Sequence, residues 1–403
     1  MKKSKKIFSV MLCLGLLTLF FHPVPDDCSA SEPARVKVGA ILPLSGPLSM
    51  VGLGLARGYE LYYEKLNEEG GLTINGRQYL FDLYKGDDRL DPEAAATAAN
   101  NLVNNEGVKI VFGTIAESCV QAIYEVTRPA GVLFATSNIN VPGHPADAHA
   151  DHPLQFRPII NMNDSQPIIL DYLVKTYPKA KTVAVIYPDV GYMDPIFDRL
   201  AGLIRGHGLE VVFLKGFDMF ASDFVPLQTM VLAKKPDILW CMMSGTSRQQ
   251  LKTARDLGFT GIYVDDTPTD PDVFIQTSGP KYCTDLISAG MDVDHPTKEM
   301  VDIIARWDAK YHEPFVSHML IAWDNAWVTT QAIQKANSLD PAKIIEAVET
   351  MTNLGDVQTS FGPGYMSGLK ELGANRRLVR PIPLVRIMNG EKEFIGLFLP
   401  PKE

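Results

Sequence analysis

The stretch VKIVFGTIAESCVQAIYEVTRPAGVLFAT (residues 108–136) contains one complete α/β unit. An apolar run at 108–113 is followed by a helical pattern from about Ser118 to Ala130 and by a second apolar run at 132–136. Short apolar runs on both sides of an amphipathic segment are typical of parallel strands joined by a helix. The stretch therefore predicts a strand, a helix and a strand of one parallel sheet.

The same alternation precedes this stretch. VKVGAIL (36–42) and QYLFDLY (78–84) have the pattern of strands, and the segment 53–69 between them has the pattern of a helix. Asp91-Pro92 then opens an alanine-rich helix, because Asp is a favoured N-cap residue and Pro fits the first helical turn. Together these segments predict a doubly wound parallel sheet.

A second series of the same kind begins near residue 182. Two later helices, at 297–311 and 318–336, follow this series and are long enough to return and cover the first sheet. The segment 383–399 is predicted to be a hairpin with its turn at Asn389-Gly390. The predicted strands of the second series are TVAVIY (182–187), LEVVFLKGF (209–217), DILWCMM (237–243), IYVDD (262–266) and LISAGM (286–291).

These patterns predict the α/β fold class, with two doubly wound parallel-sheet lobes. The stretch 145–159, which is rich in Pro and His, is the predicted crossing between the lobes. We assign residues 31–155 and about 292–340 to lobe 1, and residues 156–291 and about 341–403 to lobe 2. Because the chain crosses more than once, we expect a multi-strand hinge that permits closure of the lobes.

Residues 1–30 have the composition of a secretory signal peptide. Four lysines precede an apolar run from Ile7 to Phe21, and Ala30 is a small residue at the expected cleavage point. An uncut N-terminal anchor is the alternative. No other apolar run is long enough for a membrane helix, so the mature chain is expected to be periplasmic and not inserted in the membrane.

Composition narrows the possible partners. The formal net charge is −9 and no basic patch recurs, which argues against nucleic acid and anionic lipid. Cys119, Cys241 and Cys283 lack the paired spacings of a zinc site or a disulfide framework and are expected to be buried and unpaired. The histidines at 144, 149 and 152 have a spacing that does not favour a metal. We therefore expect neither a metal nor a cofactor.

Gly52, Gly54 and Gly58 have a spacing close to a dinucleotide-binding fingerprint. Such a fingerprint needs its first glycine in the turn directly after the first strand. Here nine residues separate Leu42 from Gly52, so nucleotide binding is disfavoured. Since Gly54 and Gly58 fall four apart on one helical face, we predict that they allow close packing of that helix on the sheet.

The loop 43–52 is expected to be rigid because it contains Pro43 and Pro47. It presents Ser49 and Met50 beside the carboxyl end of the first strand. Ligands of open α/β sheets bind in that region, so both residues are candidates for ligand binding.

Six segments carry a family resemblance. They resemble the type I periplasmic solute-binding proteins of ABC transporters, the branched-chain amino acid (leucine/isoleucine/valine) binding group in particular. The likeness covers nearly the whole mature chain in the same order. It implies a Venus flytrap of two lobes that closes on a small solute and delivers it to a membrane permease. The segments are VGAILPLSGPLSMVG (38–52), residues 62–103, VKIVFG (108–113), GVLFAT (131–136), VAVIYPDVGYMDPIFDRLAGLIRGHGLEVV (183–212) and DFVPLQTMVLAKKPDILWCM (223–242).

The resemblance implies that two loops of lobe 1 hold the charged ends of the solute. The first loop contains Ile115, Glu117 and Ser118 and leads into a helix, whose free N–H groups suit a carboxylate. The second loop contains Asn138 and Asn140, whose amides both donate and accept hydrogen bonds. Loop geometry alone is the alternative explanation of the two asparagines.

Glu117 departs from the family, because similar proteins have a small hydroxyl residue there. A carboxylate at this position would repel a solute carboxylate by about 4 kcal/mol at about 4 Å and an effective dielectric constant near 20. Either Glu117 turns outward as an acid at a helix N-terminus, or the pocket accepts something other than an α-carboxylate. In the first case Ser118 supplies the hydroxyl group.

In lobe 2 the resemblance implies that Tyr192 supplies an aromatic ring that closes over the solute. Ser244 follows the strand 237–243, and Asp265 and Asp266 end the strand 262–266. One of these two aspartates is a candidate partner for a solute ammonium group, and a solvated or capping role is the alternative. His318, in the returning helix, lies within possible reach of the pocket, with simple packing as its alternative.

We expect a secreted, monomeric protein that binds a small polar solute, such as an amino acid or a related amide or organic acid, and is not an enzyme. The sequence contains no Gly-x-Ser-x-Gly, no His-Glu-x-x-His and no phosphate-binding loop. A ligand-sensing module of a signalling system and, less favoured, a secreted α/β enzyme are the alternatives. Sensors of this architecture usually continue into a membrane helix or an effector domain, and none follows Glu403.

Overall fold

The computed structural model describes residues 32–46, 48–138, 147–189, 194–218, 221–242, 245–267, 270–290 and 292–402. Within these ranges the chain forms two large sheets and one small sheet. Both large sheets are mainly parallel and covered by helices, so the predicted α/β class is confirmed.

The first sheet has six strands in the order β2-β3-β1-β4-β5-β6. Every pairing is parallel except that of β2 with β3. All four residues of β4 are buried, as expected for a strand with helices on both faces of its sheet. The strands are β1 Ala34–Leu42, β2 Leu72–Ile74, β3 Arg77–Asp87, β4 Ile110–Gly113, β5 Leu133–Ala135 and β6 Gln155–Phe156.

Three helices follow strands of this sheet: α1 Ser49–Glu68, α2 Pro92–Asn100 and α3 Glu117–Thr127. Asp91 caps α2 by accepting a hydrogen bond from the Ala94 N–H at 2.8 Å, as the sequence predicted. Helix α3 begins one residue before the predicted Ser118. Alternate residues of the strands face two apolar clusters, one with α1 and one with α2 and α3.

The second sheet has seven strands in the order β16-β15-β11-β10-β9-β7-β8. Strands β7 to β11 are parallel, and the antiparallel β15 and β16 form the predicted hairpin, with positive φ at Asn389 and Gly390. The strands are β7 Thr182–Pro188, β8 Glu210–Phe217, β9 Ile238–Cys241, β10 Ile262–Asp265, β11 Leu286–Ser288, β15 Ile382–Met388 and β16 Glu391–Phe398. The helices are α4 Ser165–Thr176, α5 Asp194–Gly206, α6 Val225–Leu232, α7 Ser247–Asp256 and α8 Pro271–Ser278.

The later helices α9 Lys298–Tyr311, α10 Met319–Ala336 and α11 Pro341–Glu349 return to the first sheet. Their buried side chains join those of α1 in one apolar cluster, which confirms the predicted return of α9 and α10. The same cluster includes Ile344 of α11, whereas the predicted division gives residues from about 341 to lobe 2. A small sheet follows, with strands β12 Val357–Thr359, β13 Gly362–Ser367 and β14 Arg377–Val379 and a short helix α12 Leu369–Leu372.

Two crossings between the large sheets run side by side. Arg157 directly follows β6, and its N–H donates to the Arg376 carbonyl at 2.7 Å, while the Leu378 N–H donates to the Arg157 carbonyl at 3.0 Å. A third crossing lies between β11 and α9. The predicted crossing at 145–159 therefore begins later than expected, because Gln155-Phe156 is still the edge strand of the first sheet.

The glycines of α1 allow another helix to approach closely. A Cβ atom on Gly58 would lie 2.3 Å from the Met319 carbonyl oxygen of α10, and one on Gly54 would lie 2.2 Å from His318 Nε2. The predicted face of small residues is present, but it packs on a helix rather than on the sheet. Gly52 is close to the loop instead, since its Cβ would lie 2.0 Å from the Pro43 carbonyl oxygen.

Candidate functional site

The carboxyl ends of the parallel strands position the candidate site. In the first sheet β1 lies between β3 and β4, so the chain passes from β1 to β3 on one side and then crosses to β4 on the other side. In the second sheet β7 lies between β8 and β9 in the same way. Open α/β sheets bind ligands at such switch points. The candidate residues follow β1, β4, β5 and β10, at these ends of the strands.

The loop between β1 and α1 is held by a carboxylate of β3. Asp87 accepts hydrogen bonds from the Leu44 N–H at 2.9 Å and from the Ser45 hydroxyl at 2.6 Å. Desolvation opposes ionisation of Asp87, but these hydrogen bonds outweigh it and lower the pKa of its carboxyl group. Beyond this anchor, Ser49 is half-buried at the start of α1 and Met50 is 76% exposed. Pro47, the second predicted brace of the loop, lies outside the described residues.

A buried pair lies where β3 and β4 end. The Thr114 hydroxyl donates a hydrogen bond to Asp88 Oδ2, and the Leu90 N–H donates to Asp88 Oδ1 at 2.9 Å. Both side chains are completely buried. Desolvation is the main reason why the pKa of the Asp88 carboxyl group is raised. The pair fixes the start of the loop that contains Ile115, Glu117 and Ser118.

That loop leads directly into α3. Ile115 is half-buried and packs against the apolar cluster of the first sheet. Glu117 is the first residue of α3 and is half-buried, and Ser118 is exposed. A carboxylate in the first turn interacts favourably with the helix dipole. The position of Glu117 is thus compatible with both predicted roles, the capping acid and the pocket residue.

The loop after β5 begins with buried polar residues. Asn138 is completely buried, and the hydroxyl of its neighbour Ser137 lies 2.8 Å from the Tyr59 hydroxyl. With its amide oriented to satisfy every neighbour, Asn325 accepts from Ser137 at 2.7 Å and donates to the Pro158 carbonyl at 2.7 Å. This network links α1, α10 and the first crossing beneath the loop. Asn140 lies outside the described residues.

On the second sheet the structure separates the roles of two adjacent aspartates. Asp266 Oδ2 accepts a hydrogen bond from the Trp240 indole N–H at 3.0 Å, so this carboxylate has an interior partner. Asp265 Oδ1 accepts from the Thr267 hydroxyl at 2.8 Å, and its buried Oδ2 accepts no hydrogen bond from the described part of the chain. Burial raises the pKa of Asp265 to about 7. Tyr192 and Ser244 lie outside the described residues.

His318 stands beside the loop that carries Ser49 and Met50. It precedes α10, and its ring packs on Gly54 of α1. Desolvation lowers the pKa of His318, although the carbonyl groups of Met50 and Val51 act in the opposite direction. The buried imidazole is therefore harder to protonate than that of an exposed histidine.

The described ranges contain no disulfide, no cluster of metal ligands and no membrane-spanning helix. Cys119, Cys241 and Cys283 are buried and unpaired, as predicted. Among the residues that the structure describes, no three His, Cys, Asp or Glu side chains converge as a metal site, and His144 falls outside them. In the same ranges no helix combines the length and the apolar character needed to cross a bilayer.

Residues 35–392 match the family described as periplasmic binding protein. The chain belongs to the periplasmic binding protein family. A leucine-, isoleucine-, valine-, threonine- and alanine-binding protein from Pseudomonas aeruginosa is 25% identical over 322 residues, which are 79% of this chain and 83% of that relative. A Leu/Ile/Val-binding protein homolog 8 from Brucella abortus is 26% identical over 354 residues, with 83% and 85% coverage.

Solved structures of periplasmic binding proteins share the fold. The branched-chain amino acid binding protein LivJ from Streptococcus pneumoniae, in complex with isoleucine, has a TM-score of 0.71 at 18% identity, with 91% of this chain and 100% of that chain covered. A solute-binding protein from R. palustris in complex with 4-hydroxybenzoate has a TM-score of 0.73 at 18% identity, with 91% and 97% coverage. The predicted fold of two doubly wound lobes is confirmed.

Sequence reasoning missed the polar residues that support the loops of this periplasmic binding protein. Asp88, Ser137 and Thr267 each follow a strand of a large sheet, yet only Ser244, Asp265 and Asp266 were singled out on that ground. The signal was present for Asp88, since it ends the run Gly86-Asp87-Asp88 after a predicted strand. The partners Tyr59 and Asn325 come from helices distant in sequence, so no local pattern reveals them.

Proposed function

We propose that this periplasmic binding protein captures a small polar solute in the cleft between its two lobes and releases it unchanged to the permease of an ABC importer. The observation that carries the proposal is the presence of buried polar residues at the carboxyl ends of both sheets, Asn138 after β5 and Asp265 at the end of β10. The buried Oδ2 of Asp265 accepts no hydrogen bond from the described residues, and a polar solute supplies such a bond.

The solute is an amino acid or a related amide or organic acid. Relatives are named as binding proteins for branched-chain and other small amino acids, and one solved structure of the same fold holds 4-hydroxybenzoate. The half-buried Glu117 favours solutes without an α-carboxylate at its loop, and Asp265 suits a solute with an ammonium group or a hydrogen-bond donor. Ser49, Met50, Ile115, Ser118, Asn140, Tyr192 and Ser244 complete the proposed lining, with His318 behind it.

A binding assay separates this function from catalysis. The mature protein is titrated calorimetrically with L-leucine, L-alanine, leucinamide and 4-hydroxybenzoate, and the bound compound is recovered for mass spectrometry. We expect one binding heat and a compound of unchanged mass. Asn138→Ala should weaken that binding, whereas Val301→Ala, at an exposed position of α9, should not. A recovered product would instead indicate an enzyme.

Secretion and delivery are tested separately. Cleavage after Ala30 predicts that the N-terminal sequence of the exported protein begins at Ser31. Delivery predicts that the solute-loaded monomer stimulates the ATPase of its permease in reconstituted vesicles, and that the solute-free protein stimulates it less. An exported chain that keeps Met1 would support the uncut anchor.

A further inference from the structure

Glu371 lies between two arginines that belong to different parts of the fold. Its Oε1 accepts a hydrogen bond from Arg199 Nη1 at 2.9 Å, and its Oε2 lies 3.7 Å from Arg377 Nε. The Glu371 side chain is 15% exposed, whereas that of Arg199 is 45% exposed. The carboxylate thus connects the buried crossing strand β14 with the partly exposed helix α5.

Glu371 is fixed on the side of the first sheet. It belongs to α12, which is bounded by Gly368 and Gly373, both at positive φ. The Leu372 carbonyl accepts a hydrogen bond from the Ala150 N–H at 2.8 Å, just before β6. The neighbouring strands β13 and β14 pack into the apolar cluster of the first sheet through Met366 and Leu378.

Arg199 is fixed on the side of the second sheet. Its helix α5 packs into the apolar cluster of that sheet through Leu200 and Ile204. Arg199 comes five residues after the start of α5, which is about 7.5 Å along the helix axis. Helix α5 follows β7, so this end of the helix lies at the carboxyl edge of the sheet, where we propose that the solute binds.

A second ion pair at the crossing is built differently. Arg377 Nη1 donates to both oxygens of Asp164 at 3.0 and 2.9 Å, and both side chains are buried. Asp164 also accepts from the Asn161 N–H at 2.8 Å at the entry to α4. Removing one partner of such a buried pair destabilises the whole fold. This pair therefore anchors the crossing, while the pair of Arg199 and Glu371 lies nearer to solvent.

We propose that Arg199 and Glu371 form an interlobe latch that favours the lobe orientation seen here, in which the two lobes are close at the edge near α5. This inference rests on the proposed function, because it assumes a solute that both lobes contact. Rotation that separates the lobes at this edge lengthens the 2.9 Å contact and breaks it. In this orientation both lobes contact the solute, so it is the orientation that binds with full affinity. Because the latch increases its population, the latch raises the apparent affinity for the solute.

The latch is tested first without any solute. Cysteines introduced at two exposed positions of the mature protein, Met230→Cys in α6 and Val301→Cys in α9, carry spin labels, and Cys119, Cys241 and Cys283 are buried. Double electron–electron resonance then reports the distance between the lobes. We expect Arg199→Ala and Glu371→Gln to change the ratio of the lobe orientations by about two- to five-fold, the range that partly exposed ion pairs support.

Three controls make the result specific. Arg306→Ala removes a partly exposed arginine that pairs with Glu68 and Asp302 inside the first lobe, and it should leave the distance distribution unchanged. The double variant of Arg199 and Glu371 should resemble Glu371→Gln, because that substitution already removes the ion pair with Arg199. High salt should shift the wild-type distribution towards that of Arg199→Ala. Unchanged distributions in both single variants would overturn the latch.

Affinity provides the second measurement. For the compound that binds in calorimetry, Arg199→Ala should raise the Kd about two- to five-fold while the melting temperature stays close to that of the wild type. An equal or lower Kd would also overturn the latch. If no compound binds but the distance distribution responds to the variants, the latch stands and the proposed function fails.

Discussion

The Thr114 hydroxyl donates a hydrogen bond to the Asp88 carboxylate at the point where β4 and β3 end. Because both side chains are completely buried, neither can exchange this partner for water. A buried acceptor that is left without its donor lowers the free energy of unfolding by about 1–3 kcal/mol. The pair therefore stabilises the start of the loop that leads into α3.

Thr114→Val should lower the free energy of unfolding by about 1–3 kcal/mol, since valine keeps the shape of threonine and removes the donor. Thr114→Ser keeps the hydroxyl group and is the matched control, with only the loss of a methyl group. Urea denaturation of both variants measures the difference. Equal stability of the valine and serine variants would contradict a structural role for this hydrogen bond.

The two helical glycines at positions 58 and 202 should respond in opposite directions to alanine. A Cβ atom on Gly58 would lie 2.3 Å from the Met319 carbonyl oxygen, so Gly58→Ala must push α1 and α10 apart and should cost about 1–3 kcal/mol. In α5, Gly202 has open space around it. Gly202→Ala should stabilise the protein by about 0.5–1 kcal/mol, because alanine loses less backbone entropy in a helix. Thermal melting of the two variants checks both signs.

The sequence was sufficient for most of the parallel strands and helices, because their apolar periodicity is local. It was insufficient for the small sheet of β12 to β14, whose strands are only three to six residues long. It also missed the pairing at the crossing, where Arg157, directly after β6, forms a parallel bridge with Arg377 of β14. Their proximity depends on contacts 220 residues apart, which no local pattern contains.

The candidate site was predicted in part by the same local signal. Polar residues that follow buried strands led to Asp265 and Asp266, and the structure gives them different partners, Thr267 and the Trp240 indole. Which partner each of these two adjacent buried residues contacts depends on where the strand ends, and that is decided by pairing with neighbouring strands. The supporting residue Asn325 reaches the site from α10, so only the three-dimensional structure could identify it.

Substitutions of Glu117 distinguish the two predicted roles of its carboxylate in the loop after β4. If its carboxylate faces the solute, Glu117→Ser removes a repulsion and should increase affinity for amino acids relative to their amides by at least about ten-fold, which corresponds to 1.4 kcal/mol. Calorimetry with leucine and leucinamide measures this ratio. Glu117→Gln is the control for charge alone. An unchanged ratio in both variants indicates an acid that serves only the N-terminus of α3.

Asp265 should make the stability of the protein depend on pH. Burial raises its pKa from 3.8 to about 7, so between these values the unfolded chain loses the proton before the folded protein does. The folded state binds more protons there, and the free energy of unfolding contributed by this group therefore falls as the pH rises, by at most about 1.4 kcal/mol per pH unit. Asp265→Asn should remove this slope, as urea denaturation between pH 4.5 and about 7 can measure.

The matched control for this slope is Asp237→Asn. Asp237 also lies at an end of a strand of the second sheet, but hydrogen bonds from Lys181 and Thr182 outweigh its desolvation and lower the pKa of its carboxyl group. Its contribution is present above the unfolded pKa and is lost as the pH falls, so its replacement should leave the slope between pH 4.5 and about 7 nearly unchanged. A wild-type protein whose stability is flat over this interval and equal to that of Asp265→Asn would show that the Asp265 carboxyl group is already ionised. A solute with an ammonium group should reduce the slope, because a nearby cation lowers the pKa of Asp265.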